Sequence, residues 1–168
     1  LTGGEPLLRN DLPELVALLA RVPSLDIALT TNGSLLAKHA RAFREAGLGR
    51  LTVSLDSVSP DVFTHMTDSE LPVSEVLAGI DAAAAAGLAP IKINAVIKRG
   101  VNEHAIVPLA RHFKGSGHVV RFIEYMDVGH TNGWRMDDVV AARDIVAAID
   151  RAMPLDAIGA NYSGEVAQ

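Results

Sequence analysis

The sequence predicts an α/β fold in which short strands alternate with helices around a parallel sheet. Three observations carry this. Apolar runs of strand length, rich in Val, Ile and Leu, recur along the chain. A segment with helical apolar spacing stands between each run and the next. Hydrophobic residues make up 49% of the 168 positions and mean hydropathy is +0.24, enough for one sizeable core. Right-handed βα units of this kind build either an open doubly wound sheet or a (β/α) barrel, and composition does not separate the two. No linker or low-complexity stretch interrupts the pattern, so residues 1–168 read as a single domain.

Taken in order, Asp11-Leu12-Pro13-Glu14 has the form of a capping box, and Leu12, Leu15, Val16, Leu19 and Val22 follow at helical spacing, so a helix is expected from about residue 12. LDIALT, 25–30, reads as a short buried strand. A helix from about Ser34, with Leu36, Ala40 and Phe43 on one face, is expected to stop at Gly47, and LTVSL, 51–55, is the next strand. Val76, Leu77, Ile80, Ala83 and Ala84 form the apolar stripe of an alanine-rich helix that Gly87 can cap, and IKINAVI, 91–97, is its strand. A helix near 103–114, the strand HVVRFIEY at 118–125, and a last helix from about 137 complete the alternation.

Charge and composition narrow the function classes. The net charge of −5 comes from 20 acidic and 15 basic side chains mixed along the chain, with no basic stripe to track a phosphate backbone, so nucleic acid is not an expected partner. No apolar run is long enough to span a membrane and no secretory leader pattern heads the chain, so no membrane partner is expected and the location is expected to be cytoplasmic. The six histidines are scattered without metal-ligand spacing, and the chain has no cysteine, so protein-only zinc chemistry and thiolate chemistry have no support. Neither a P-loop nor G-x-G-x-x-G occurs.

Each expected strand ends in a polar or small cluster: Thr2-Gly3-Gly4-Glu5, Thr30-Thr31-Asn32-Gly33, Ser54-Leu55-Asp56-Ser57 and Glu124-Tyr125-Met126-Asp127. Carboxyl ends of strands build the active sites of parallel α/β folds, although turns and caps alone would account for Asn32-Gly33, Ser34 and Ser57. Asp56 and Asp61 read as cap and loop residues, and Met126 reads as packing unless its strand-end position matters. Lys92 lies within a strand, on the face of Asn94 and opposite Ile91, Ile93 and Ala95. Arg121, among Val119, Val120, Phe122 and Ile123, repeats the situation. A cation in a buried strand needs a partner, which is either an internal salt bridge or an anionic ligand shared by the two.

LTGGEPLLR resembles the glycine-glycine-glutamate motif of radical S-adenosylmethionine enzymes. LTTNGSLL, LTVSLDSVSPDVF, PIKINAVIKRGVN and RFIEYMDVGHTNGW, in that order, are similar to the MoaA family over the whole chain. The resemblance implies a partial TIM-type barrel with a parallel sheet and external helices. It implies a radical S-adenosylmethionine lyase, the GTP 3',8-cyclase of molybdenum cofactor biosynthesis. A radical cleaved from S-adenosylmethionine at a reduced [4Fe-4S] cluster would abstract hydrogen from the GTP ribose and start the cyclisation. By motif correspondence Gly4, Glu5, Ser54 and Met126 would contact S-adenosylmethionine, while Thr30, Lys92 and Arg121 would face the substrate GTP.

The departures from that family carry their own expectations. Neither the N-terminal C-x-x-x-C-x-x-C loop nor the C-terminal cysteines are present, so neither of the family's two [4Fe-4S] clusters would be bound by this chain. It is expected to be the central portion of a barrel, from the end of strand two to strand six and the following helix, and inactive by itself. His130 stands where the family pattern suggests asparagine. An uncovered sheet edge would favour pairing as a homodimer. Two alternatives stay open: a peptide-modifying member of the wider superfamily, and a non-catalytic nucleotide-binding homologue.

Overall fold

In the computed structural model the described residues are 1–128 and 133–159. Helix α1, Leu12–Leu19, buries Leu12 and Val16 and leads to strand β1, Ala28–Thr31. Helix α2, Leu36–Ala46, follows, then β2, Arg50–Ser54. Two helices, α3 at Pro60–Thr67 and α4 at Val73–Ala85, precede β3, Lys92–Ile97. Helix α5, Ile106–Phe113, β4, Val119–Glu124, and α6, Ala142–Ala152, close the series.

The four strands pair in parallel in the order β1-β2-β3-β4, with no reversal. Burial alternates along them. Leu29, Leu51, Val53, Ile93, Ala95 and Ile97 are fully buried in the core shared with the helices, while Thr30, Thr52, Lys92 and Asn94 are only half-buried. One face of the sheet is therefore clad by helices and the other is open. A doubly wound sheet reverses its strand order and covers both faces, so the arrangement is that of the expected partial barrel.

Local chemistry explains the element ends. Helix α2 stops where Gly47 takes φ 97°, with the amide of Leu48 bonded to the carbonyl of Phe43 and that of Gly47 to Arg44. The end of α4 repeats this with Gly87 and Leu88 bonding back to Ala84 and Ala83. Both are Schellman closures, which need the left-handed conformation glycine adopts without penalty.

Three expectations require correction. The Asp11 carboxylate does not cap α1: it takes the Arg9 guanidinium at 2.7 and 3.1 Å, which holds its pKa below the ordinary carboxylate value. Asp61 is not a loop residue but lies in the first turn of α3, a helix started by Pro60 and anchored by Phe63. The last helix begins at Ala142 and not near 137, because the preceding backbone is used elsewhere: Val139 bridges to Lys98 and the Asp138 carbonyl accepts from Arg99 at 2.8 Å. Its first amide, Ala142, is capped by Glu124 Oε1 at 2.6 Å from the end of β4.

Candidate functional site

Register decides which side chains share the open face, because aligned residues of a parallel ladder point the same way. Thr30 aligns with Thr52, Thr52 with Lys92, and Lys92 with Val119. One step towards the carboxyl ends, Ser54 aligns with Asn94 and Asn94 with Arg121. Thr30, Ser54, Lys92 and Arg121 thus stand on one face in two adjacent rows. Neither Lys92 nor Arg121 makes an ion pair among the described residues, so the internal salt-bridge alternative is not realised. Lys92 is half-buried and keeps its need for a partner, whereas Arg121 is exposed on the edge strand β4, where water can solvate its charge, so the expectation of a buried cation is corrected there.

Sequence reasoning did not single out Asn94 as a site residue. Among the described residues its Oδ1 is buried without a hydrogen-bond partner, between Ser54 and Arg121 in register. A buried acceptor left unmade is unfavourable by about 1–3 kcal/mol, so its position asks for a donor such as a hydroxyl group. The only sequence signal was that period 2 put it on the face of Lys92.

Beyond the strand ends the sheet is held by side chains. Asp56 Oδ1 accepts from the Val96 amide at 2.8 Å and so extends the β2–β3 ladder, and burial raises its pKa above the ordinary 3.8. Asn102 is fully buried: Nδ2 donates to the carbonyls of Val96 at 2.8 Å and Asp56 at 3.2 Å, and Oδ1 accepts from the Lys98 amide at 2.8 Å. Asn32 and Ser57 serve turns, accepting from the amides of Ser34 and Ser59. Both follow the turn reading.

At the β1 edge the Glu5 carboxylate is engaged on both oxygens. Oε1 accepts from the Leu7 amide at 2.9 Å and Thr31 Oγ1 at 2.6 Å, and Oε2 accepts from the Asn32 amide at 2.7 Å. Gly3 and Gly4 precede it at φ 100° and 50°. At the other edge Met126 is 51% exposed, which rules out the packing reading. It lines a cavity of about 390 Å³ with Tyr125, Trp134, Met136 and Val139. Lys98 Nζ lies 4.6 Å from the centre of the Tyr125 ring, and Trp134 Nε1 donates to the Tyr125 carbonyl at 3.1 Å. That cavity does not include Thr30, Ser54 or Lys92, so the polar rows form an open surface beside it. His130 lies outside the described residues. Among the described residues no group of side chains is arranged to hold a metal ion, and no helix is long and apolar enough to cross a membrane.

Residues 1–113 match the radical SAM superfamily. The chain belongs to that superfamily. Among curated proteins it is 58% identical to the GTP 3',8-cyclase of Acidothermus cellulolyticus, over 99% of this chain and 46% of that protein. It is 53% identical to the GTP 3',8-cyclase of Xanthomonas axonopodis pv. citri, over 100% of this chain and 51% of the other. It is 41% identical to that of Staphylococcus carnosus, over 100% and 49%. The chain spans about half the length of the curated relatives it matches.

Two solved structures share the fold, one of them of a radical SAM enzyme. A methyltransferase from Sphaerobacter thermophilus superposes with TM-score 0.58 at 21% identity, over 75% of this chain and 37% of that one. HydG, a maturase of the [FeFe]-hydrogenase, superposes with TM-score 0.59 at 13% identity, over 90% and 37%. At these identities the likeness speaks to architecture, and it bears out the radical SAM partial barrel.

Proposed function

We propose that the protein carrying this chain is a GTP 3',8-cyclase of molybdenum cofactor biosynthesis, and that the open sheet face receives S-adenosylmethionine and GTP side by side. The observation that carries the reading is the pair of adjacent rows of hydroxyls and cations on one face, with Lys92 and Arg121 in no ion pair among the described residues, within a sequence 41–58% identical to GTP 3',8-cyclases along its whole length. The cyclase reading includes the lyase chemistry and the cytoplasmic setting expected from the sequence.

The residues present fit S-adenosylmethionine. Gly3 and Gly4 bring backbone to a ligand without side-chain obstruction, and their carbonyls can accept from its ammonium group. Ser54 and Asn94 Oδ1, which has no partner among the described residues, would take ribose hydroxyls, and Met126 would offer an apolar wall to the base. Lys92 and Arg121 would hold the GTP triphosphate, with Thr30 in the same row as Lys92. Bound at a reduced [4Fe-4S] cluster, S-adenosylmethionine supplies a hydrogen-abstracting radical. With no cysteine among its 168 residues, this chain supplies no thiolate to a cluster, and its own part is to bind and orient.

The test is reconstitution of the native protein with iron, sulfide and reductant, followed by incubation with S-adenosylmethionine and GTP. Formation of 5'-deoxyadenosine together with a cyclised GTP product is expected. Cleavage of S-adenosylmethionine without consumption of GTP would move the protein to another substrate class within the superfamily.

A further inference from the structure

Residues 134–142 run back over the end of β4 as a strap. At one end Trp134 Nε1 donates to the Tyr125 carbonyl at 3.1 Å, and at the other the Ala142 amide donates to Glu124 Oε1 at 2.6 Å. Midway the strap pairs with the chain leaving β3: Val139 bridges to Lys98 in antiparallel sense, the Arg99 amide donates to the Asp138 carbonyl at 2.8 Å and Arg99 Nη2 to the Val139 carbonyl at 3.0 Å. Trp134, Met136 and Val139 of the strap line the cavity of about 390 Å³ together with Met126. Lys98 does not line it. Its ammonium instead joins the two sides, 3.6 Å from Asp138 Oδ2 on the strap and 4.6 Å from the centre of the Tyr125 ring at the end of β4. The backbone behind it is fixed, since the Lys98 amide donates to the buried Asn102 at 2.8 Å.

We propose that Lys98 is a positioning residue: its ammonium, held between Asp138 and the Tyr125 ring, fixes the strap at the separation from Met126 that admits the flat base of S-adenosylmethionine, without Lys98 touching that base. This rests on the ligand reading above and names what sets the width of the slot. The Lys98 and Asp138 side chains are 28% and 27% exposed, so their attraction is less damped by water than that of a surface pair, and the ring face adds a second hold on the same cation. Asp138 pairs with no other cation among the described residues. Without the ammonium, a half-buried carboxylate is left to seek water, which draws the strap away from β4. Trp134 and Ala142 tie the ends of the strap to β4, and the Lys98 head ties its middle.

The experiment uses the native protein carrying this chain, with its clusters assembled, and the variants Lys98→Met, Lys98→Arg, Asp138→Asn and the pair Lys98→Met with Asp138→Asn. Calorimetry with S-adenosylmethionine and with GTP is combined with hydrogen exchange on the ligand-free protein. Lys98→Met keeps the length of the stem and removes the charge, and is expected to weaken S-adenosylmethionine about tenfold while GTP changes by less than about twofold. Lys98→Arg should keep most of the affinity, because a guanidinium both pairs with a carboxylate and stacks on an aromatic ring. The double variant should lose little more than Lys98→Met alone, since both substitutions break one link. The Arg99 amide, which bonds the strap, should exchange faster in Lys98→Met while the amides of β2 do not change.

Unchanged S-adenosylmethionine affinity in Lys98→Met, a loss equal for both ligands or confined to GTP, or unchanged exchange at Arg99 would overturn the proposal. So would losses that multiply fully in the double variant, or a Lys98→Arg variant as weak as Lys98→Met, because the two side chains would then not act as one link. Should Lys98→Met not fold, Asp138→Asn decides alone: selective loss of S-adenosylmethionine supports the role and no loss removes it. Failure of the unsubstituted protein to bind S-adenosylmethionine would overturn the ligand reading and this inference with it. Normal binding by both the unsubstituted protein and Lys98→Met would remove this inference only.

Discussion

The Asn102 side chain donates to the Val96 carbonyl at 2.8 Å and completes the end of β3 from outside the ladder. Its amide also reaches the Asp56 carbonyl and takes the Lys98 amide, so one buried residue joins the carboxyl ends of β2 and β3 where the polar rows of the open face finish. Asn102→Ala would leave an amide and two carbonyls without that partner in a dry site. A loss of about 3 kcal/mol is expected, visible as a lower Tm and faster amide exchange at Lys98. Asn102→Asp should be at least as damaging, since it can accept but no longer donates to either carbonyl.

Asp56 predicts an unusual pH dependence. Burial raises its pKa, so the folded state binds the proton more tightly than the unfolded state, whose value is near 3.8. Its contribution to stability is greatest below that value and is lost as pH rises through the raised folded value. Asp56→Asn keeps an oxygen for the Val96 amide and removes the buried charge. Melting temperature against pH should show the Asp56→Asn variant more stable than the parent at neutral pH, with the difference shrinking as pH falls towards about 4. A variant less stable at neutral pH would contradict this.

Gly79 lies inside α4, where glycine is ordinarily unfavourable by about 1 kcal/mol relative to alanine. Here a Cβ would stand 3.0 Å from both the Gly33 carbonyl oxygen and Leu36 Cβ. Overpacking against backbone costs about 1–3 kcal/mol, so sterics should outweigh propensity. Gly79→Ala is expected to lower Tm, and a rise would mean that α2 and α4 separate more easily than their contact suggests.

Much of the fold was legible because two periods and the turn residues agree. Gly47 and Gly87 stop helices as expected, and alternation along β3 put Lys92 and Asn94 on one side. Helix α3 escaped because a single deeply buried anchor, Phe63, gives no stripe, although Ser-Pro-Asp before it is a start signal. The start of α6 was misjudged because Asp138 and Val139 serve a tertiary bridge that helical spacing cannot reveal. Asn94 and Asn102 matter through partners, absent for Asn94 Oδ1 among the described residues and saturated for Asn102, and nothing local in sequence announces either state. Glu5 was legible as a motif member, but its ties to Thr31 and Asn32 belong to tertiary structure.

The most direct measurement of the account compares two substitutions on the open face in the native protein. Calorimetric titration of Lys92→Ala should show GTP weakened at least tenfold with S-adenosylmethionine little changed, and Ser54→Ala should show the reverse preference, because removing a cation from a phosphate site costs about 1.5–3 kcal/mol. Equal losses for both ligands in each variant, or GTP affinity unaffected by Lys92→Ala, would contradict the claim that this sheet face holds the two side by side.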